Sequence, residues 1–163
     1  MKVSIFFGSK SDLEKMSKAG EVLRDFGVEF SANIVSAHRA GELLWKKVRE
    51  VENAGSEVII AGAGLAAALP GVIAGMTVLP VIGVPLESVS GNSNGLAGLD
   101  ALFSIVQMPP QIPVATVGIG NAKNAAFLAL EILALKDENL KQKLLAFRKK
   151  LAEDAEKNCA CEL

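Results

Sequence analysis

The chain has 163 residues, half of them apolar, which suits a single domain with one sizeable core spanning residues 1–163 and argues against a second domain. Seventeen basic against eighteen acidic side chains leave a formal charge of −1. No block of like charge stands out, so nothing electrostatic favours nucleic acid or an anionic membrane surface, and a small-molecule ligand is expected. Cys159 and Cys161 stand one residue apart in a polar tail, where they suit neither a core crosslink nor, with one histidine in the chain, a zinc site; a reducing cytoplasm is expected.

Val3 to Phe7 reads as a first buried strand, and its break at Gly8 is too early for a signal peptide. Leu13, Met16, Leu23 and Phe26 then recur at near-helical spacing up to Gly27, the expected helix stop. The pattern returns as a strand over 28–35 and a helix carrying Leu44, Val48 and Val51. It returns again as a strand over 58–61 followed by the Ala-rich run from Leu65 to Ala74, read as a helix. Pro80 to Pro85 and Pro113 to Val117 read as the fourth and fifth strands, each followed by a helix, over 96–106 and 121–135. Short apolar strands alternating with helices predict an α/β fold, a five-stranded parallel sheet covered on both faces, with ligands at the carboxyl ends of the strands.

Val58 to Leu86 carries no charge and is long enough to span a bilayer, but Pro70, Pro80 and Pro85 and five glycines cut it into short elements, so core is the better reading. An extra C-terminal helix over 138–157 places Leu140, Leu144, Phe147, Leu151 and Ala155 on one stripe. Packing back on its own domain and docking on a neighbouring copy are equally compatible with that stripe.

Gly8-Ser9-Lys10-Ser11-Asp12 follows the first strand and opens the first helix, where free N–H groups favour an anion such as phosphate; plain capping is the alternative, since Ser11 and Glu14 have capping-box spacing. Ser36-Ala37-His38-Arg39 ends the second strand, on the same rim if the first two strands are neighbours. An imidazole, with an ordinary pKa of about 6.5, can both give and take a proton near neutrality, and His38 is the only one here. Arg39 offers a fork for carboxylate or phosphate, and Asp12 could bind a ribose hydroxyl, orient the histidine or form a structural salt bridge.

Two motifs point elsewhere. Gly62-Ala63-Gly64-Leu65-Ala66-Ala67 matches the dinucleotide pattern G-x-G-x-x-A, with Glu87 where a ribose acceptor belongs; against nicotinamide binding, it lies in the third unit and no substrate domain follows. Gly91-Asn92-Ser93-Asn94-Gly95 satisfies G-x-S-x-G, yet the hydrolase order needs a histidine after the serine. A polar loop, acting as a lid, is the better reading. No cluster has metal-ligand spacing.

Together the motifs resemble the N5-carboxyaminoimidazole ribonucleotide mutase family, the bacterial class of aminoimidazole ribonucleotide carboxylases. The likeness runs almost end to end: GSKSD at 8–12, SAHR at 36–39, AGAG with LPG within 61–71, GLDALFSIVQMP at 98–109, then IPVATV and NAKNAA. The resemblance implies a flavodoxin-like three-layer α/β/α domain that assembles as an octamer, needs no cofactor or metal, and rearranges a ribonucleotide in purine (IMP) biosynthesis. It implies that Ser9 and Asp12 bind the nucleotide, that Arg39 meets phosphate or carboxylate, and that His38 shuttles a proton as general acid/base. Gly8, Ser11, Ser36, Ala37 and Leu69 fall in the same motifs as substrate contacts, and Ala63, Gly64, Leu65 and Ala66 form an apolar floor. Two departures stand out: Ala68 occupies the place of the family's histidine in AAHLPG, and the loop 88–95 is longer than usual. A direct, carbon-dioxide-using carboxylase of the animal type carries an Arg-Ser-Asn run where this chain has Ala63-Gly64-Leu65, and is the enzymatic alternative. An inactive nucleotide-binding homologue is the other.

Overall fold

A computed structural model describes residues 2–87, 96–157 and 159. The elements follow in the order β1 (Val3–Phe7), a single 3-10 turn (Lys10–Asp12), α1 (Leu13–Asp25), β2 (Phe30–Ile34), α2 (Gly41–Asn53), β3 (Val58–Gly64), α3 (Leu69–Ala74), β4 (Val81–Leu86), α4 (Leu99–Val106), β5 (Ala115–Thr116), α5 (Ala122–Ala134) and α6 (Glu138–Lys157). The five strands form one parallel sheet in the order β2-β1-β3-β4-β5. This is the flavodoxin-like arrangement, in which the chain winds to one side of β1 and then returns to build the other.

Period-two alternation sends successive residues of each buried strand into different layers. Val3, Ile5 and Phe7 of β1 pack with Ile60, Ile82 and Leu86 against α1, α5 and α6, while Phe6 packs with Ile59 and Ala61 against α2, α3 and α4. The charge-free stretch 58–86 thus becomes β3, α3 and β4 at the middle of the core, and among the described residues no helix is long and apolar enough to cross a membrane. A polar side chain is buried within the sheet: the Ser4 hydroxyl on β1 lies 2.8 Å from that of Ser56 and 3.0 Å from that of Ser31, so its hydrogen-bonding capacity is met inside the fold.

Several sequence-based bounds change for identifiable reasons. The fifth strand shrinks from 113–117 to Ala115–Thr116, an edge strand whose upstream Pro113 has no N–H to donate to a ladder. The fourth helix begins at Leu99, because Ala97 (φ 50) and Gly98 (φ 87) are both left-handed and cannot continue a right-handed turn.

The stripe on α6 divides. Leu140 and Leu144 are buried against the domain, and Phe147 stacks on Phe127 with ring centroids 5.1 Å apart while meeting Phe26 edge-on at 5.6 Å. Leu151 is 53 % exposed, and Ala155 is exposed as well. Packing back therefore accounts for the first half of the helix only.

Candidate active site

Four strand ends meet around one cavity of about 440 Å³. The turn after β1 contributes Gly8, Ser9, Ser11 and Asp12, and the turn after β2 contributes Ser36, Ala37, His38 and Arg39. The segment joining β3 to α3 adds Ala63, Gly64, Leu65, Ala66, Ala68 and Leu69, and Glu87 enters from the end of β4. The parallel register of β1 and β2, which pairs Phe7 with Ile34, brings the first two turns to the same rim. The residues expected as catalytic or substrate contacts all line this cavity, as do Ala68 and Glu87, whereas Gly62 and Ala67 of the third motif do not. Glu87, expected from the sequence only as the ribose acceptor of a dinucleotide site, follows directly on a buried strand, where ligands gather.

The first turn is organised by Ser9. Its backbone is extended (φ −150, ψ 156), and its Oγ accepts the Ser11 N–H at 3.3 Å and the Ser11 hydroxyl at 2.9 Å. The Asp12 N–H donates to the Ser9 carbonyl at 3.1 Å. The Ser11–Glu14 capping box expected as an alternative does not form, because Ser9 caps a 3-10 turn ahead of the helix and Asp12, at the N-cap position of α1, makes no side-chain cap. Two hydroxyls are thereby held at the cavity wall.

Asp12 is half-buried there, and burial lifts its carboxyl above the usual aspartate value. A hydrogen bond from the Ser9 backbone, the Lys15 ammonium and the Ser11 side chain pull the other way without cancelling it. An acid whose folded pKa is raised contributes stability that is fully present below its unfolded pKa and is lost as the pH rises through the folded pKa. Asp12→Asn is accordingly expected to melt above the unsubstituted protein at neutral pH. The gap should close as the pH falls towards the ordinary aspartate pKa of about 3.9. Melting curves across that window check it, and an Asn variant that melts lower at every pH contradicts it.

His38 and Arg39 are exposed at the cavity mouth, and among the described residues neither has a hydrogen-bond or ion-pair partner. Opposite chemistry lines the segment after β3. The helix expected from Leu65 begins only at Leu69, with Pro70 in its first turn, and the intervening residues fold into tight turns in which Ala67 N–H meets Leu65 O at 2.8 Å and Ala68 N–H meets Ala66 O at 2.7 Å. Leu65 sits in the left-handed region (φ 55), a conformation that is costly for a non-glycine residue, and its side chain is 47 % exposed beside the cavity.

This geometry overturns the dinucleotide fingerprint. Gly62 lies inside β3, where a Cβ would collide with Met16 Sδ, and a Cβ on Gly64 would stand 2.9 Å from the Leu86 carbonyl oxygen. The two glycines serve the close packing of β3, and no helix opens immediately after them to receive a pyrophosphate. Glu87 instead meets Lys15, whose Nζ donates to its main-chain oxygen at 2.9 Å and lies 3.8 Å from its Oε2. The polar loop with Gly91-Asn92-Ser93-Asn94-Gly95 falls outside the described residues. Among the described residues no group of three His, Cys, Asp or Glu side chains could hold a metal ion.

Residues 2–154 match the family model described as AIR carboxylase. A Pyrococcus abyssi protein named N5-carboxyaminoimidazole ribonucleotide mutase is 56 % identical over 147 residues, covering 90 % of this chain and 82 % of the relative. A Saccharolobus solfataricus protein of the same name is 51 % identical, with 94 % of each chain covered. Among solved structures, that of Treponema denticola PurE superposes with a TM-score of 0.79 at 32 % identity, covering 95 % of this chain and 96 % of the other.

Proposed function

The chain belongs to the AIR carboxylase family, and from that premise we propose that its cavity converts N5-carboxyaminoimidazole ribonucleotide to the 4-carboxy isomer with His38 as general acid and base. The activity is that of a mutase, an isomerase of purine biosynthesis, as in the relatives. The observation that carries the site assignment is the convergence of His38, Arg39 and the Ser9–Asp12 turn on one cavity at the adjoining ends of β1 and β2.

The chemistry follows from those groups. Protonated His38 gives its proton to the exocyclic nitrogen as the N–C bond of the carbamate breaks, releasing carbon dioxide and leaving the aminoimidazole. The electron-rich ring carbon then attacks the carbon dioxide, forming the new C–C bond. Neutral His38 removes the proton from that ring carbon, which restores aromaticity and returns the imidazole to its starting form. The balance closes with no covalent nucleophile, no metal and no net proton.

Carbon dioxide must stay beside its acceptor between these steps, and confinement of that kind can supply several kcal/mol of the barrier. Ala63, Gly64, Leu65 and Ala66 offer it an apolar wall that does not compete for the ring carbon. Ser9, Ser11, Asp12 and Ser36 provide contacts for ribose and phosphate, with Arg39 for an anionic group. Gly8, Ala37 and Leu69 complete the wall. Ala68 places a methyl where the resembled motif has an imidazole, so proton transfer falls to His38 alone, the one histidine of the chain.

An octamer belongs to the same reading. Support comes from apolar side chains left outside the fold, among them Trp45 (53 % exposed), Phe103 (55 %) and Leu151 (53 %), which burial against further copies would cover. A cytoplasmic location fits both the substrate and the free, exposed Cys159.

Turnover separates the alternatives. The purified protein should isomerise the N5-carboxylated ribonucleotide without ATP, faster than it carboxylates aminoimidazole ribonucleotide supplied with bicarbonate. The reverse order of rates would identify a direct carboxylase, and ligand binding with no turnover in either direction would identify an inactive homologue.

A further inference from the structure

We propose that Lys15 is a positioning residue for nucleotide binding: its ammonium fastens the end of β4 to the first turn of α1 and so fixes Asp12 and Glu87 on the wall of the cavity. The inference rests on the functional reading above and concerns a residue outside the cavity lining.

A lysine in the first turn of α1 runs against the helix dipole, which favours acidic side chains there, so local preference does not explain it. A tertiary partner does. Lys15 reaches across 72 residues of sequence to donate to the Glu87 main-chain oxygen at 2.9 Å, and its charge lies 3.8 Å from the Glu87 carboxylate. Its side chain is 23 % exposed, whereas the lysines of the pairs within α6 are 56–80 % exposed. A less solvated ammonium is screened less and holds its partners more firmly.

The same ammonium acts on Asp12, opposing the burial that raises its carboxyl. The other charged groups about Asp12 are Lys10 and Glu14 from its own segment, His38 and Arg39 from the turn after β2, and Glu87 from β4. Without Lys15, no other hydrogen bond or ion pair among the described residues joins Glu87 to α1, and Asp12 loses a neighbouring cation. The nucleotide would then meet a looser wall and a carboxylate that stays protonated to higher pH.

K15M is expected to raise KM by about tenfold with kcat within about twofold, the pattern of lost ground-state binding. The acid limb of kcat/KM should move to higher pH, a change that a merely structural role would not produce. K15R should restore both. E87Q keeps the main-chain bond, leaves the cation beside Asp12 and removes only a like charge, so its acid limb should not move to higher pH. Calorimetric titration with 4-carboxyaminoimidazole ribonucleotide separates this inference from the functional reading: a wild-type protein that does not bind it defeats that reading and this inference with it. A wild-type protein that binds it, beside a K15M variant with equal affinity and an unmoved acid limb, overturns only the role of Lys15. K15Q serves the same comparison should K15M not fold.

Discussion

His38→Asn is expected to lower kcat by about 10³-fold while leaving the fold and the melting temperature nearly unchanged, within the range general acid–base catalysis supplies. The reason is stoichiometric as well as geometric. The proposed cycle uses one imidazole twice, first to protonate the exocyclic nitrogen and then to deprotonate the ring carbon, and no second histidine exists in the chain to take over either step. Asparagine keeps a planar polar group near the cavity mouth but cannot carry a proton. KM should therefore move only a few-fold while the chemical step stalls. Because the side chain is exposed, its replacement removes no hydrogen bond or ion pair among the described residues. Steady-state rates with the N5-carboxylated ribonucleotide, alongside circular dichroism and a thermal melt, test this; an Asn variant with full activity ends the assignment of His38.

Phe6→Ala should produce the largest loss of stability. Phe6 has no exposed surface and sits on the interior strand β1, between β2 and β3, in the core layer shared with α2, α3 and α4. Truncating a fully buried aromatic removes its transfer free energy and leaves a cavity the neighbours fill only partly, costing about 3–5 kcal/mol. That is a large share of the roughly 5–15 kcal/mol that stabilises a typical domain. For a domain of this length the melting midpoint should fall by roughly 6–20 °C. The effect reaches the site, because β1 carries the Gly8–Asp12 turn on its carboxyl end and pairs with β2, which carries His38 beyond its own end. Ile34→Ala, at a β2 position that is 43 % exposed, should shift the midpoint far less. A Phe6→Ala protein that melts like the parent would mean that the layer repacks around the gap.

The strands and helices whose physics is local were legible without coordinates. β1 has the bounds expected from its apolar run, α2 buries the Leu44, Val48 and Val51 triad, and α6 spans Glu138 to Lys157 as its period foretold. These segments announce themselves because burial of one face imposes a period on the side chains, whatever the partner surface turns out to be. Local pattern is a poor guide where backbone conformation answers to neighbours. The stretch 65–68 has helix-favouring alanines, yet Leu65 is held left-handed at the exit of β3 and the helix waits for Leu69. In the same way, the glycines of the third motif are spaced like a nucleotide fingerprint but are small because Met16 and Leu86 press against β3.

The candidate site divides along the same line. The Ser-Asp turn, the Ser-Ala-His-Arg turn and the fold class follow from residue types, spacing and alternation, which are properties of the chain itself. That these turns share one cavity depends on β1 lying between β2 and β3, and the tie between Lys15 and Glu87 depends on α1 passing the end of β4. Only the folded chain decides such pairings, because contacts between residues far apart in sequence are set by how the sheet is wound and packed, and no local period records them.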